Sequence, residues 1–335
     1  MTSLTKNIGK SQVDTMPLNG DITIKKVLVV RPNHRLGNLI LTTPLIQEIE
    51  TAFPECEIDI LAKGNLAPIV FGTYGNIKNY LLLPRKPFKH LINYALVWLK
   101  VKFRTYDLVV NAVRGSSSGR LLTQIANSKY KIFGAVEAQK VDASHKGYHM
   151  AKNPIHHFRT YFSKSGIIKI DKPIAPLDLK LTKDEIEKGK TILKSTFDNN
   201  KITICIFTYA TGSKCYSKLW WKDFYTQLKL RFKDYNILEI LPVENISQID
   251  FQAESFYSKD IREIGSVIAN AELFIGADSG IMHLASSTKT TTIGLFSNTK
   301  IEKYKPYANG SFAINTQKNN VEECISLVEN AFVYA

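Results

Sequence analysis

Short β-branched runs alternate with segments of helical spacing along most of the chain. Lys25–Arg31 (KKVLVVR) reads as a buried strand. Gly37 opens LGNLILTTPLIQEIETAF, whose apolar residues recur at helical spacing. Pro44 inside that stretch predicts a kink or a restart, and Pro54 closes it. Strands follow at Glu57–Ala62 and Asp107–Ala112, then a helix over Gly119–Ala126 and a strand at Tyr130–Phe133. The proline-rich Asp171–Pro176 (DKPIAP) reads as a linker. After it the alternation restarts. Helices are expected at Thr182–Phe197, Trp221–Phe232, Ile261–Asn270, from about His283, and at Val321–Phe332. Strands are expected at Ile202–Phe207, Asn236–Leu241, Leu273–Ala277 and Thr291–Phe296.

Strand, glycine turn, helix, strand is the beginning of a right-handed βαβ unit. The pattern predicts an α/β protein of two halves, each a parallel sheet covered on both faces. The expected division is a tail at 1–24, a first domain at 25–175 and a second at 176–335. A length of 335 residues accommodates two such domains. No internal repeat or low-complexity tract is evident, and no apolar run reaches the ~20 residues that span a bilayer.

The charge is unevenly placed. Residues 25–180 carry 24 Lys/Arg and 10 Asp/Glu, whereas 181–335 carry 18 of each, so the formal +14 lies in the first half. A lysine-rich bias would load both halves; a one-sided excess fits an anionic partner of the first. Nucleic acid, an acidic membrane surface or a phosphorylated glycolipid would each serve. The chain has no zinc finger, RNP-like aromatic motif or recognition-helix pattern, so nucleic acid is not the expected partner. Four scattered cysteines with no C-x-x-C pair argue against a disulfide scaffold or zinc site and suit a reducing cytoplasm. Lys86–Arg104 mixes apolar residues with five cations. It reads either as a basic helix lying on an anionic membrane or as a core helix with basic ends, the second preferred.

The strongest chemical signal is LFIGADSGIMHLA, Leu273–Ala285. Asp278 stands just past a strand end, followed by Ser279, Gly280 and helical text with His283 in its first turn. In open α/β sheets ligands bind outside the carboxyl ends of strands, and the N–H groups at a helix start suit a phosphate. Gly280 lets backbone approach closely, and Asp278 suits the hydroxyls of a sugar or ribose. The plainer alternative is a helix cap at Asp278 or Ser279 with a surface histidine.

Leu273–Ala285, with Thr292–Thr299 (TIGLFSNT) and Tyr304–Tyr307 (YKPY), resembles the C-terminal signature of family 9 glycosyltransferases, the lipopolysaccharide heptosyltransferases. The opening, with L-G-N-x-x-x-x-T-P at Leu36–Pro44 and Pro54–Asp59 leading into the second strand, resembles that family's beginning. The motifs span residues 25–310 in order. The resemblance implies a GT-B architecture, two Rossmann-like doubly wound domains facing a cleft. It implies an inverting, metal-independent transfer, with the acceptor on the first domain and a nucleotide sugar, ADP-heptose foremost, on the second. No cofactor or metal is expected. The acceptor would be a lipopolysaccharide core or related anionic glycolipid, with peripheral contact at the inner face of the cytoplasmic membrane.

Carried over residue by residue, the resemblance makes Lys218 the cation on the leaving diphosphate, followed by Trp220. Thr211, Gly212 and Ser213 become phosphate donors and Glu244 the ribose ligand. Asp278, Ser279, Gly280 and His283 complete the donor site. Arg114 and Arg120 are acceptor candidates, since guanidinium suits carboxylate and phosphate. Asn38 stands where many members have an aspartate taken as the general base, and an amide accepts no proton at neutral pH. Either another residue is the base, with His34 nearest in sequence, or Asn38 only orients the hydroxyl, or the protein is catalytically weak or a non-enzymatic scaffold. A GT-B transferase using another nucleotide sugar is the further alternative. Trp221, Ser297 and Asn298 also depart from the family pattern.

Overall fold

The computed structural model describes residues 22–134, 149–163 and 171–333; most of the expected tail lies outside them. The chain divides into two compact units, up to Ala175 and from Pro176.

The first unit is a five-stranded sheet of β1 (Lys26–Val30), β2 (Glu57–Lys63), β3 (Ile77–Leu83), β4 (Thr105–Asn111) and β5 (Asn127–Ile132), in the order β3-β2-β1-β4-β5. Every pairing is parallel. Between the strands run α1 (Leu36–Ile40), α2 (Thr43–Ala52), α3 (Ala67–Phe71), α4 (Leu91–Phe103) and α5 (Ser117–Ile125). Helix α6 (Asn153–Ser163) follows β5. Pro44 produces the expected restart: α1 ends at Ile40, and α2 begins with the proline in its first turn, where a missing N–H costs nothing. The central strands β1, β2 and β4 are buried along most of their length and mostly apolar, as a sheet covered on both sides requires. Leu28, Val30, Leu61, Val109 and Leu122 form one core with Val97 and Val101 of α4.

DKPIAP is not a free linker. The buried guanidinium of Arg159 on α6 grips both oxygens of Glu48 on α2 at 2.8 Å, and it also donates to the carbonyls of Lys172 and Pro173. The segment is thereby tied to the first unit, because a buried arginine needs more acceptors than one carboxylate offers.

The second unit is a six-stranded parallel sheet. Its strands are β6 (Thr203–Phe207), β7 (Asn236–Ile240), β8 (Glu254–Phe256), β9 (Leu273–Ala277), β10 (Thr291–Phe296) and β11 (Phe312–Asn315), in the order β11-β10-β9-β6-β7-β8. The helices are α7 (Lys183–Phe197), α8 (Lys218–Arg231), α9 (Ile261–Ile268), α10 (Gly280–Ser286), α11 (Ile301–Tyr304) and α12 (Val321–Val333). Thr182 and Glu185 form a capping box at the start of α7, and Glu185 also pairs with Arg262 of α9. That arginine, foremost, holds the Glu185 carboxyl down at about 2. At Gly189 a β-carbon would lie 2.2 Å from the Ser266 carbonyl oxygen, so α7 and α9 meet through a residue that must lack one.

Helix α8 begins three residues before the position expected from apolar spacing. Ser217 caps it, its hydroxyl accepting from the Trp220 N–H, so Lys218 is helical rather than in a loop. Likewise α10 begins at Gly280, with Ser279 rather than Asp278 as its side-chain cap. Both units are doubly wound, with the strand order reversing between β1 and β4 in the first and between β6 and β9 in the second. At such switch points the loops part and leave a crevice beyond the carboxyl ends of the strands.

Candidate functional site

The two strands flanking the second unit's switch point, β6 and β9, lead into the residues singled out for donor binding. After β6 comes an exposed turn, Thr211–Gly212–Ser213, in which Gly212 has φ +65°, the left-handed region glycine tolerates. After β9 comes Asp278, only 4% exposed. Its backbone N–H donates to the Leu295 carbonyl, and its Oδ2 accepts from Lys214 Nζ at 2.6 Å. Among the described residues no hydrogen bond reaches its Oδ1. The loops after β6 and β9 are thus joined by one ion pair across the switch point. Lys214 also lies 5.8 Å from the Tyr304 ring centroid, and the buried His283 ring is 6.3 Å from the same ring. Glycine is needed beneath this group: a β-carbon at Gly294 would meet Met282 Sδ at 2.6 Å and Pro306 at 3.2 Å.

The lysine on Asp278 is Lys214, not Lys218. The Lys218 ammonium is held 2.6 Å from Asp250 Oδ1, and Lys222 takes Asp250 Oδ2 at the same distance. These two cations keep the exposed Asp250 carboxyl down at about 2. The spacing S-K-x-W selected Lys218; only the packing of the Gly212 turn shows that Lys214 reaches the buried acid. Asn298, one of the departures from the family pattern, has a function here. Its side-chain amide donates to the Ser213 carbonyl at 2.6 Å and so pins that turn, which a proline could not do. Trp220 stacks on Tyr216 at 4.3 Å, and Trp221, in place of the family's proline, is fully buried inside α8.

Glu244 lies exposed on the loop after β7. Beneath that loop is a buried acid that sequence reading passed over, Glu239 in β7. It accepts from Thr208 Oγ1 at 2.5 Å and Ser247 Oγ at 2.7 Å, while Ser247 Oγ accepts the N–H groups of Ile249 and Phe251. Burial raises the Glu239 pKa. The acid fixes the loop bearing Glu244 and Asp250, in which Asn245, Asp250 and Phe251 all have positive φ. The signal for it was a lone charge inside an otherwise apolar strand.

In the first unit, Asn38 sits on α1, beyond the end of β1. The buried Arg31 donates to Asn38 Oδ1 at 2.9 Å and to its carbonyl at 3.0 Å. Arginine has no acceptor, so the amide oxygen must face it and the amide N–H₂ is turned away. Asn38 can therefore offer a ligand donors but no base. His34 is exposed on the loop before α1. Partial burial, with the cations Lys63, Arg85 and Arg35, lowers its pKa, which favours the neutral, proton-accepting ring. Lys63 ends β2, and Arg85 and Lys86 follow β3. An open cleft of about 540 Å³ lies there, lined by Gly64, Asn65, Pro84, Arg85, Lys86 and His90. Sequence reading missed this basic edge because β3, with its exposed Lys78 and Asn79, gave no clear strand pattern.

Arg114 is exposed after β4. Arg120 is buried in α5 and donates to the Arg114 carbonyl at 2.5 Å, so it holds the loop instead of standing open to a ligand. Among the described residues no cluster of His, Cys, Asp or Glu has a metal-binding arrangement.

The family model "Glycosyltransferase family 9 (heptosyltransferase)" matches residues 258–329, the segment containing Asp278, Gly280, His283 and Tyr304. Lipopolysaccharide heptosyltransferase 3 of Escherichia coli K12 is 23% identical over 307 residues, covering 81% of this chain and 82% of that one. The crystal structure of a family 9 glycosyltransferase from Veillonella parvula superposes with TM-score 0.73 at 15% identity, covering 95% of this chain and all of that one. The E. coli heptosyltransferase WaaC with ADP gives TM-score 0.62 at 15% identity, covering 92% and 99%. The two doubly wound units are those of the GT-B glycosyltransferases. The chain is a heptosyltransferase-like glycosyltransferase, and the resemblance to family 9 read from its motifs is borne out.

Proposed function

We propose that this protein transfers heptose from ADP-heptose to an anionic lipopolysaccharide-core glycolipid, with inversion and without a metal. The observation that carries the reading is the Lys214–Asp278 pair at the second unit's switch point, whose Asp278 lies inside the segment the family model matches. The E. coli relatives named for heptosyl transfer, one of them holding ADP, support this donor.

The second unit holds the donor. Lys214, with N–H groups of the Thr211–Ser213 turn and of Gly280, faces the diphosphate, and Asp278 Oδ1 accepts a hydroxyl. As the glycosidic bond breaks, negative charge builds on the diphosphate, and a lysine already oriented by Asp278 neutralises it without reorganising. The first unit holds the acceptor, whose phosphate and carboxylate groups meet Lys63, Arg85 and Lys86. The N–H₂ of Asn38 orients the attacking hydroxyl, and His34 takes its proton. The low pKa of His34 puts the acid limb of the rate profile below the ordinary histidine value of ~6.5. His34→Gln is expected to remove that limb and lower turnover about 10²-fold; an unchanged profile would exclude His34 as the base.

The reading as a whole is tested by incubating the protein with ADP-heptose and a heptose-deficient core acceptor in chelator, with mass spectrometry of the product. Addition of one heptose residue is expected. Transfer from another nucleotide sugar alone would replace the donor, and transfer that stops in chelator would overturn metal independence.

A further inference from the structure

Helix α4 has two apolar faces, and the fold uses only one. Val97 and Val101 are buried in the first unit's core, with Tyr94 and Trp98 packed beside them. On the opposite side, Ile92, Leu96, Leu99 and Phe103 recur at helical spacing as a single stripe, each between 47% and 76% exposed. Phe88 and Leu91 extend it at the N-terminal end, equally open. Along a helix of 13 residues, about 20 Å, this is more apolar surface than a soluble protein leaves uncovered without use. The helix is firmly seated: Arg104, just after it, donates to the buried Asp59 at 2.7 Å.

The surroundings of the stripe select its partner. Lys100 and Lys102 flank it on its two sides, and Lys86 and Lys89 precede it. From residue 60 to 106 the chain has eight Lys/Arg and no Asp or Glu. A second copy of this chain would bring the same cations against one another across a two-fold axis. A surface that is apolar inside and negatively charged outside matches both features.

We propose that α4 is a membrane-docking helix that inserts the stripe Ile92–Leu96–Leu99–Phe103 among the acyl chains of an anionic bilayer, with its lysines at the headgroups. An interfacial helix buries its apolar face about 5–10 Å deep, which fits side chains of this length standing off a seated helix. Docking is reversible, since one short stripe and a few lysines are far from a transmembrane anchor. It rests on the proposed function only in placing the enzyme beside a lipid-borne acceptor.

The test is sedimentation of the full chain with acceptor-free vesicles of phosphatidylcholine, alone or with phosphatidylglycerol. Binding is expected only with phosphatidylglycerol and is expected to weaken as salt rises. Leu96→Ser/Leu99→Ser, on the side away from the core, should reduce partitioning about tenfold or more. Lys100→Gln/Lys102→Gln should reduce it less and blunt the salt dependence. Both variants should transfer sugar normally to a soluble truncated acceptor, which separates failure of docking from failure of the proposed chemistry. Vesicle binding unchanged by Leu96→Ser/Leu99→Ser would overturn the proposal. So would a dimer that the same change dissolves, since the stripe would then be a self-interface.

Discussion

Replacing Asp278 with alanine is expected to lower turnover about 10²- to 10³-fold, the magnitude usual for one oriented electrostatic contact at a leaving group. The acid is the first residue after a wholly buried strand and reaches Lys214 at 2.6 Å. Without it the lysine loses its orientation and the donor one hydroxyl acceptor. Lys214→Ala should lose a similar factor, and the double variant little more than either, because the two act as a unit. Lys218→Ala is the control. Its ammonium is on the exposed Asp250, where an ion pair contributes little and Lys222 remains. Turnover within a few-fold of the parent is expected there. Steady-state kinetics on the four proteins decides between the lysines: a large loss for Lys218→Ala with none for Lys214→Ala would reverse their assignment.

The largest expected change in stability comes from Arg159→Met. The arginine is buried, Glu48 is nearly so, and the change leaves that carboxylate without a cation and two backbone carbonyls short of a donor. Breaking a buried pair from one side costs about 3–5 kcal/mol. The urea transition of the first unit should move to lower denaturant while that of the second stays. Adding Glu48→Leu should recover much of the loss, since removing both charges removes the stranded one. No recovery would mean that the carbonyls of Lys172 and Pro173, rather than Glu48, are what the arginine serves.

The sequence disclosed elements where the pattern is pure. The apolar strands β1, β6, β9 and β10 were all legible, as was the restart at Pro44. Strands β3, β8 and β11 were not, because they carry polar or half-buried residues near sheet edges and lack a clean period. Missing β3 concealed the basic edge formed by Lys63, Arg85 and Lys86. The likeness of the two sheets was also invisible in the text: no repeat links the halves, yet the order β8-β7-β6-β9-β10 reproduces β3-β2-β1-β4-β5. At the site, strand-end position was enough to find Asp278 and Gly280, and the family resemblance added the Gly212 turn. It could not find which lysine meets Asp278, since that depends on a turn held from across the sheet by Asn298. Nor could it find that Arg31 turns the Asn38 amide outward, because a contact seven residues apart gives no sequence signal.

The central claim is that the second unit binds an adenine nucleotide sugar through Asp278 and Lys214. Calorimetric titration of the purified protein with ADP-heptose, ADP, UDP and GDP, in chelator, tests it most directly. Selective binding of the two adenine compounds, weakened by Asp278→Ala and by Lys214→Ala, is the expected result. Binding of UDP or GDP in preference, or ADP-heptose binding that neither change affects, would contradict it.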